Sequence, residues 1–150
     1  MTGIPASSKA CTFCSIVAGR LPAHVVLSNE TCVAFLDARP LFPGHVLLVP
    51  RAHRETLADL PPDEVAPLFT AAQSLCQALE TALGADGTFV AINNRVSQSV
   101  PHLHVHIVPR RRGDGLRGFF WPRHRYASEA EAAALAARIG SAVRAPTLTR

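Results

Sequence analysis

Three histidines alternate with apolar residues in the segment His102-Leu103-His104-Val105-His106. Alternate side chains of a strand share a face, so the sequence predicts three imidazoles facing a cleft, with Leu103, Val105 and Ile107 on the other face. Imidazole can act as a nucleophile, as an acid or base, or as a metal ligand. One metal ion shared by all three is disfavoured, because residues two apart in a strand lie about 6.6 Å apart. Burial as ordinary core residues is also disfavoured, because each ring would need its own hydrogen-bond partners.

The four cysteines offer a second kind of chemistry. Cys11 and Cys14 form a Cys-Thr-Phe-Cys motif that suits a metal, whereas Cys32 and Cys76 lie in apolar runs typical of buried thiols. Two disulfides are the alternative, which a reducing compartment disfavours. The first ten residues contain no apolar signal-peptide segment, and no stretch reaches the roughly 18–20 apolar residues that cross a bilayer. We therefore expect a cytoplasmic protein without a membrane segment.

The charge is basic and concentrated. Fifteen basic residues oppose 11 acidic ones, and six arginines lie between Arg110 and Arg125. A solvated surface and a site for polyanionic ligands both fit this pattern, since the guanidinium group forms paired hydrogen bonds to phosphate. Nucleic acid is a less favoured partner, because the cluster is short and no nucleic-acid motif accompanies it.

The elements that must position these residues follow from periodicity and turn signals. Strands are expected at residues 24–27, 31–37, 45–49, 88–93 and 102–109. A long helix from Pro61 to Leu83 carries an apolar stripe that runs from Val65 to Leu83, and Ser128 opens a C-terminal helix with a buried side at Leu135, Ile139 and Val143. Most connections are too short for parallel crossovers, which predicts an α+β domain with a five-stranded antiparallel sheet. Its expected bounds are 11–145, between a flexible N-terminus (1–10) and a tail (146–150).

The histidine segment and its flanks resemble the histidine triad (HIT) family. The match includes Gln98-Ser99-Val100, Phe35-Leu36-Asp37 and Pro43-Gly44-His45-Val46-Leu47, and it covers roughly residues 11–110. The resemblance implies a HIT-like fold, commonly a two-fold dimer, and a hydrolase or nucleotidyl transferase that attacks the α-phosphate of a nucleotide. Histidine at position 106, where a related branch acting on galactose phosphate has Gln, favours hydrolysis.

The resemblance also assigns roles to individual residues. His104 would attack phosphorus and form a nucleotidyl-histidine intermediate, while the carbonyl of His102 would fix its tautomer. His106 and His45 would donate hydrogen bonds to phosphate oxygens. Nucleotide contacts would come from Gln98 and Ser99 of a phosphate loop, from Asn93 near the phosphates and from Asp37 as the ribose-binding acid. Phe13, Ile16 and Phe35 would surround the base. The three apolar residues would look the same as ordinary core residues.

Some bacterial members of the family bind zinc at a Cys-x-x-Cys motif with two histidines. The matching positions here are Cys11, Cys14, His53 and His102, which would complete a tetrahedral structural site. Such an ion would orient His102, whose carbonyl holds His104. His24 and His124 match nothing in the family and are expected on the surface.

The sequence leaves the substrate open. Val108-Pro109-Arg110 favours dinucleoside polyphosphates, whereas Trp121-Pro122 is similar to a branch that acts on nucleoside phosphoramidates and acyl-adenylates. A zinc-stabilised nucleotide-binding or scaffold protein with little turnover is the alternative, and RNA binding by the basic segment is a third. We expect a homodimer in which Trp121 approaches the partner's active site, although the aromatic run 118–122 could instead pack on its own domain.

Overall fold

The computed structural model describes residues 11–117 and 123–143. The predictions made for residues 1–10, for Trp121 and its aromatic run, and for the tail 146–150 lie outside this part of the chain. The chain divides into two compact units, residues 1–114 and 115–150. None of the helices within the described ranges is both long enough and apolar enough to cross a membrane.

The first unit contains a five-stranded antiparallel sheet, as the sequence predicts. The strands are β1 (Val25–Ser28), β2 (Cys32–Leu36), β3 (Val46–Pro50), β4 (Gly87–Ala91) and β5 (Val105–Arg110). Their order across the sheet is β1-β2-β3-β5-β4, and every neighbouring pair is antiparallel. Strand β5, which contains His106, is therefore interior, with a partner strand on each side.

Two helices of the first unit, α1 (Thr12–Val17) and α2 (Pro62–Leu83), accompany the sheet. On one side, Leu103, Val105 and Ile107 pack with buried residues of α2 such as Leu75 and Leu79. A separate cluster joins Cys11 and Phe13 to the β2 and β3 residues Val33, Phe35, Leu47 and Val49. Because side chains alternate along each strand, one set packs in the α2 core and the other in this separate cluster.

The long helix α2 begins and ends where the sequence signals place it. Pro62 occupies its first turn, and the left-handed Gly84 (φ 62°) caps its end. Its buried residues are Leu68, Ala71, Ala72, Leu75 and Leu79. The predicted apolar stripe was too wide, because the side chains of Val65, Phe69 and Leu83 are 37%, 40% and 41% exposed to solvent.

The predicted start of the histidine strand was wrong. Strand β5 begins at Val105, so His102 and His104 precede it in backbone that belongs to no strand, with a bend at His102. The N–H of Leu103 donates to the carbonyl of Arg54 (2.6 Å) and that of His102 donates to Val100 (2.8 Å). These hydrogen bonds to loop residues take the place of pairing with another strand. Even so, Leu103, Val105 and Ile107 pack in the α2 core, while His104 and His106 face the opposite side.

The second unit contains α3 (Glu129–Ala142). Ser128 caps it by accepting from the Glu131 N–H, and the Glu131 carboxylate accepts from the Ala127 N–H (2.6 Å). The prediction of a buried side was wrong, because Ile139 and Val143 are 66% and 71% exposed.

Candidate active site

A cleft of about 890 Å³ lies between α1 and the sheet. Seven of the predicted site residues line it: Phe13, Ile16, Phe35, Asp37, Ser99, His104 and His106. The strand register places Phe35 beside Leu47 and Leu47 beside His106, so a row of side chains crosses the sheet from β2 to β5. Phe13 forms edge-on ring contacts with Phe35 (5.4 Å) and His104 (5.1 Å), which pack α1 over this row.

His104 is 2% exposed and its ring orientation is fixed by its neighbour. Its Nδ1 lies 2.7 Å from the carbonyl oxygen of His102. Because a carbonyl only accepts, Nδ1 must carry the proton of the neutral ring, which leaves the lone pair on Nε2. A histidine held in this tautomer at the wall of a cleft can act as a nucleophile through Nε2.

His45 and His106 form a second, internally paired unit. The N–H of Leu41 donates to His45 Nδ1 (3.1 Å), so the proton of neutral His45 is on Nε2. That nitrogen lies 3.0 Å from His106 Nδ1 and donates to it. The proton of His106 is therefore on its Nε2, which makes His106 a neutral hydrogen-bond donor on the wall of the cleft.

The pKa values agree with this neutral pair. Burial, together with the neighbouring His104 and His45, lowers the pKa of His106 to about 4. Burial also lowers the pKa of His45, against the opposing effect of the Asp37 carboxylate. Both rings are thus uncharged near neutral pH, and the predicted donation from His45 to a phosphate is replaced by donation to His106.

Asp37 lies at the end of β2. Its Oδ1 accepts from the Arg39 N–H (2.8 Å), and its Oδ2 lies 3.8 Å from His45 Nδ1. Asp37, His45 and His106 have ligand atoms within 4.8 Å of one another, which suggests a possible metal site. We disfavour it, because the His45–His106 hydrogen bond occupies the Nδ1 lone pair of His106.

A second cluster joins Cys11, Cys14, His53 and His102, whose ligand atoms all lie within 4.8 Å of one another. His102 Nδ1 lies 3.5 Å from each sulfur, and His53 Nδ1 lies 3.2 Å from Cys14 Sγ. His102 Nε2 donates to the Pro50 carbonyl (2.8 Å), which leaves the Nδ1 lone pair directed at the sulfurs. Two thiols and two imidazole lone pairs so arranged could bind a metal ion.

Burial, reinforced by the adjacent Cys11 sulfur, raises the pKa of Cys14 to about 11. A divalent cation would offset the two thiolate charges that burial disfavours, so the donor set fits a metal. His102 is fully buried in this cluster, and burial lowers its pKa. Its prediction as a residue facing the cleft was therefore wrong, although its carbonyl does contact His104.

Three further predicted contacts differ from the structure: Asn93, Gln98 and His45 do not line the cleft. Asn93 is exposed. The Gln98 side chain binds backbone groups of its own loop and of Glu55. The motif resemblance could not reveal this, because the relevant partner comes from a distant segment.

Several cleft residues were missed in the sequence, among them Thr12, His24, Arg39 and Val100. His24 is exposed as expected, but it belongs to the cleft wall, and the bond from Leu36 N–H to its carbonyl (3.0 Å) holds it beside β2. Thr12 adjoins Phe13 on α1, and Arg39 adjoins the turn at Asp37. Proximity to predicted site residues was the only available signal for these two.

A family model described as HIT domain matches residues 18–113. The HIT-like protein MJ0866 of Methanocaldococcus jannaschii is 42% identical over 70% of this chain and 82% of its own length. Two other relatives are named for activities. Adenylylsulfatase HINT3 of Arabidopsis thaliana is 34% identical over 71% of this chain and 55% of its own length. The asymmetrical bis(5'-nucleosyl)-tetraphosphatase of Schizosaccharomyces pombe is 36% identical over 61% of this chain and 52% of its own length.

Solved structures show the same fold. The protein SMU.412c of Streptococcus mutans superposes with a TM-score of 0.83 and 31% identity, covering 94% of this chain and 90% of that one. A zinc-bound histidine triad family protein of Mycobacterium smegmatis superposes with a TM-score of 0.70 and 38% identity, covering 91% of this chain and all of that one.

Proposed function

This chain belongs to the HIT domain family, and on that basis we propose that it hydrolyses a nucleotide at its α-phosphorus through a nucleotidyl intermediate on His104. The observation that carries the proposal is the bond from His104 Nδ1–H to the His102 carbonyl (2.7 Å). It presents an unprotonated Nε2 at the wall of the cleft, next to a donor on His106.

In the first step, the Nε2 lone pair of His104 forms a bond to phosphorus, and the bond from phosphorus to the leaving group breaks. The leaving group departs with the electron pair and takes a proton from solvent, while His106 Nε2–H donates a hydrogen bond to a phosphate oxygen and stays neutral. The nucleotidyl ring is now cationic, because it retains its Nδ1 proton. The His102 carbonyl dipole stabilises that charge, and the protonated state of Nδ1 does not change during the step.

In the second step, water attacks the same phosphorus. The bond from phosphorus to Nε2 breaks, its electron pair returns to the ring, and a nucleoside monophosphate and a proton are released. Asp37 is suited to accept from the ribose hydroxyls, since its Oδ2 has no closer partner than His45 at 3.8 Å within the described ranges. Phe13, Ile16 and Phe35 supply apolar contacts for the base.

Two substrate classes follow from the relatives' names and from the sequence. The first is a dinucleoside polyphosphate, and the second is an adenylate with a smaller leaving group, such as a phosphoramidate or adenylyl sulfate. A turnover panel of diadenosine polyphosphates, adenosine phosphoramidate and adenylyl sulfate, compared by kcat/KM, tests the proposal. Binding of these compounds without release of adenosine monophosphate would instead favour the nucleotide-binding scaffold.

We also propose that the Cys11, Cys14, His53 and His102 cluster holds zinc. With Zn–S of about 2.3 Å and Zn–N of about 2.0–2.1 Å, a tetrahedral ion places sulfur and nitrogen ligands about 3.6 Å apart. The three sulfur–nitrogen distances of 3.2, 3.5 and 3.5 Å are close to this value. The relative from Mycobacterium smegmatis is zinc-bound. Bound there, zinc would be structural, holding α1 against the backbone of His102.

A homodimer is the third part of the proposal. Strand β4 forms one edge of the sheet, and Val90 on that strand is 43% exposed. Val65 and Phe69 expose apolar surface on α2. Natural proteins usually pair or cover such an edge, and a second copy of the chain would do so.

A further inference from the structure

Residues 54–57, which follow His53, serve as an anchor for the loop that leads to the histidines. Gln98 Nε2 donates to the carbonyl of Glu55 (2.6 Å), and the N–H of Leu57 donates to Asn94 Oδ1 (2.8 Å). The N–H of Leu103 donates to the carbonyl of Arg54 (2.6 Å). Three hydrogen bonds from three different residues therefore fix residues 94–103 to one short segment.

This segment is itself held in place. Arg54 forms an ion pair with Glu64 of α2 (2.7 Å), and both side chains are partly buried. Thr56 and Asp59 exchange hydrogen bonds around a short 3-10 helix at Leu57–Asp59. Residues 54–57 thus provide fixed backbone acceptors and donors for the loop.

The loop needs such external support because its own conformation is unfavourable. Arg95 (φ 67°) and Ser97 (φ 60°) both occupy the left-handed region, which non-glycine residues rarely adopt. Gln98 bridges this stretch, since its Oε1 accepts from the Arg95 N–H (2.7 Å) while its Nε2 binds Glu55. Ser99, the next residue, lines the cleft together with His104 and His106.

We infer that Gln98 is a positioning residue, which with Asn94 holds Ser99 and its backbone at the phosphate end of the cleft, and does not itself bind the phosphate. The inference rests on the proposed function for its catalytic consequence. Both ends of the Gln98 amide bind backbone groups of residues outside the cleft wall. The groups that donate hydrogen bonds to a phosphate oxygen belong to Ser99, and their position depends on the side-chain amides of Gln98 and Asn94.

The test uses the two diastereomers of an adenosine phosphoramidate in which sulfur replaces one non-bridging oxygen. If the panel favours diadenosine polyphosphates, the same replacement is made there. The ratio of kcat/KM for the two diastereomers measures how well the fixed donors distinguish the two oxygens. This ratio does not depend on the fraction of protein that is folded, so a merely destabilised variant leaves it unchanged.

Wild type should prefer one diastereomer, and both Gln98→Met and Asn94→Ala should reduce the preference about tenfold, as expected for one misplaced hydrogen bond. Asn94→Asp retains the acceptor for Leu57 N–H and should restore the preference. Gln73→Met, the same change at an exposed position of α2, is the matched control. Loss in Gln98→Met alone would show that Gln98 binds phosphate directly, and an unchanged ratio in both variants would equally overturn the inference.

The hydrogen bonds by which Asn94 and Gln98 hold this loop can also be tested without substrate, by amide hydrogen exchange. Asn94→Ala should increase exchange at Leu57, and Gln98→Met should increase exchange at Arg95, because each variant removes that amide's acceptor. Unchanged protection of both amides would contradict the claim that Asn94 and Gln98 hold the loop, even if the enzyme is active. Absence of turnover in wild type would refute the proposed function. Hydrogen exchange would still test whether Asn94 and Gln98 hold the loop.

Discussion

Acidification from pH 7 to pH 5 should destabilise the protein through His106. Its pKa is lowered from 6.5 to about 4 in the folded state, mainly by burial. Between these values the unfolded chain binds a proton that the folded chain excludes, so stability falls as pH decreases and levels off below about pH 4. A shift of this size gives a loss of about 2 kcal/mol at pH 5, at 1.36 kcal/mol per pKa unit.

Urea unfolding of wild type and His106→Gln at the two pH values isolates this contribution, because glutamine retains hydrogen-bonding capacity without titrating. His45 and His102 also have lowered pKa values, so both proteins should lose stability on acidification. Wild type should lose about 2 kcal/mol more than the variant. An equal loss in the two proteins would show that His106 is protonated in the folded state at pH 5, which would contradict the neutral His45–His106 pair.

Three further outcomes are expected. His104→Ala should lower kcat by several orders of magnitude while nucleotide affinity, measured by calorimetry, stays close to wild type; turnover within about tenfold of wild type would exclude a nucleophilic role. Metal analysis of untagged protein prepared without chelator should give about one zinc per chain, and Cys14→Ser should lower both this content and the Tm. Val90→Lys on the edge strand should convert a dimer into a monomer by light scattering, and a wild-type monomer at micromolar concentration would refute the dimer.

The sequence was most informative where local periodicity decides structure. Alternation of residue types correctly identified Leu103, Val105 and Ile107 as the side chains that pack with α2, because successive side chains of a strand point to opposite faces. The bounds of α2 followed from Pro62 and Gly84, which act within a single turn. The start of β5 was missed because the partner of Leu103 N–H is the distant Arg54 carbonyl.

The candidate site was predictable in composition but less so in contacts. Phe13 on α1, Asp37 after β2 and His106 on β5 line one cleft. The pairing of His45 with His106 and the bonds of Gln98 depend on segments that meet only in the folded chain. The helix α1, with six residues, is too short to show helical periodicity.

Nucleotidyl transfer to His104 is the central claim, and a single-turnover reaction tests it most directly. Excess enzyme is mixed with a nucleotide substrate labelled in its α-phosphate, quenched in alkali because phosphorus–nitrogen bonds of this kind are acid-labile, and mapped by mass spectrometry. The account predicts a transient nucleoside monophosphate group on Nε2 of His104, formed and lost at rates that match turnover. Turnover without any labelled protein, or with the label on another residue, would contradict it.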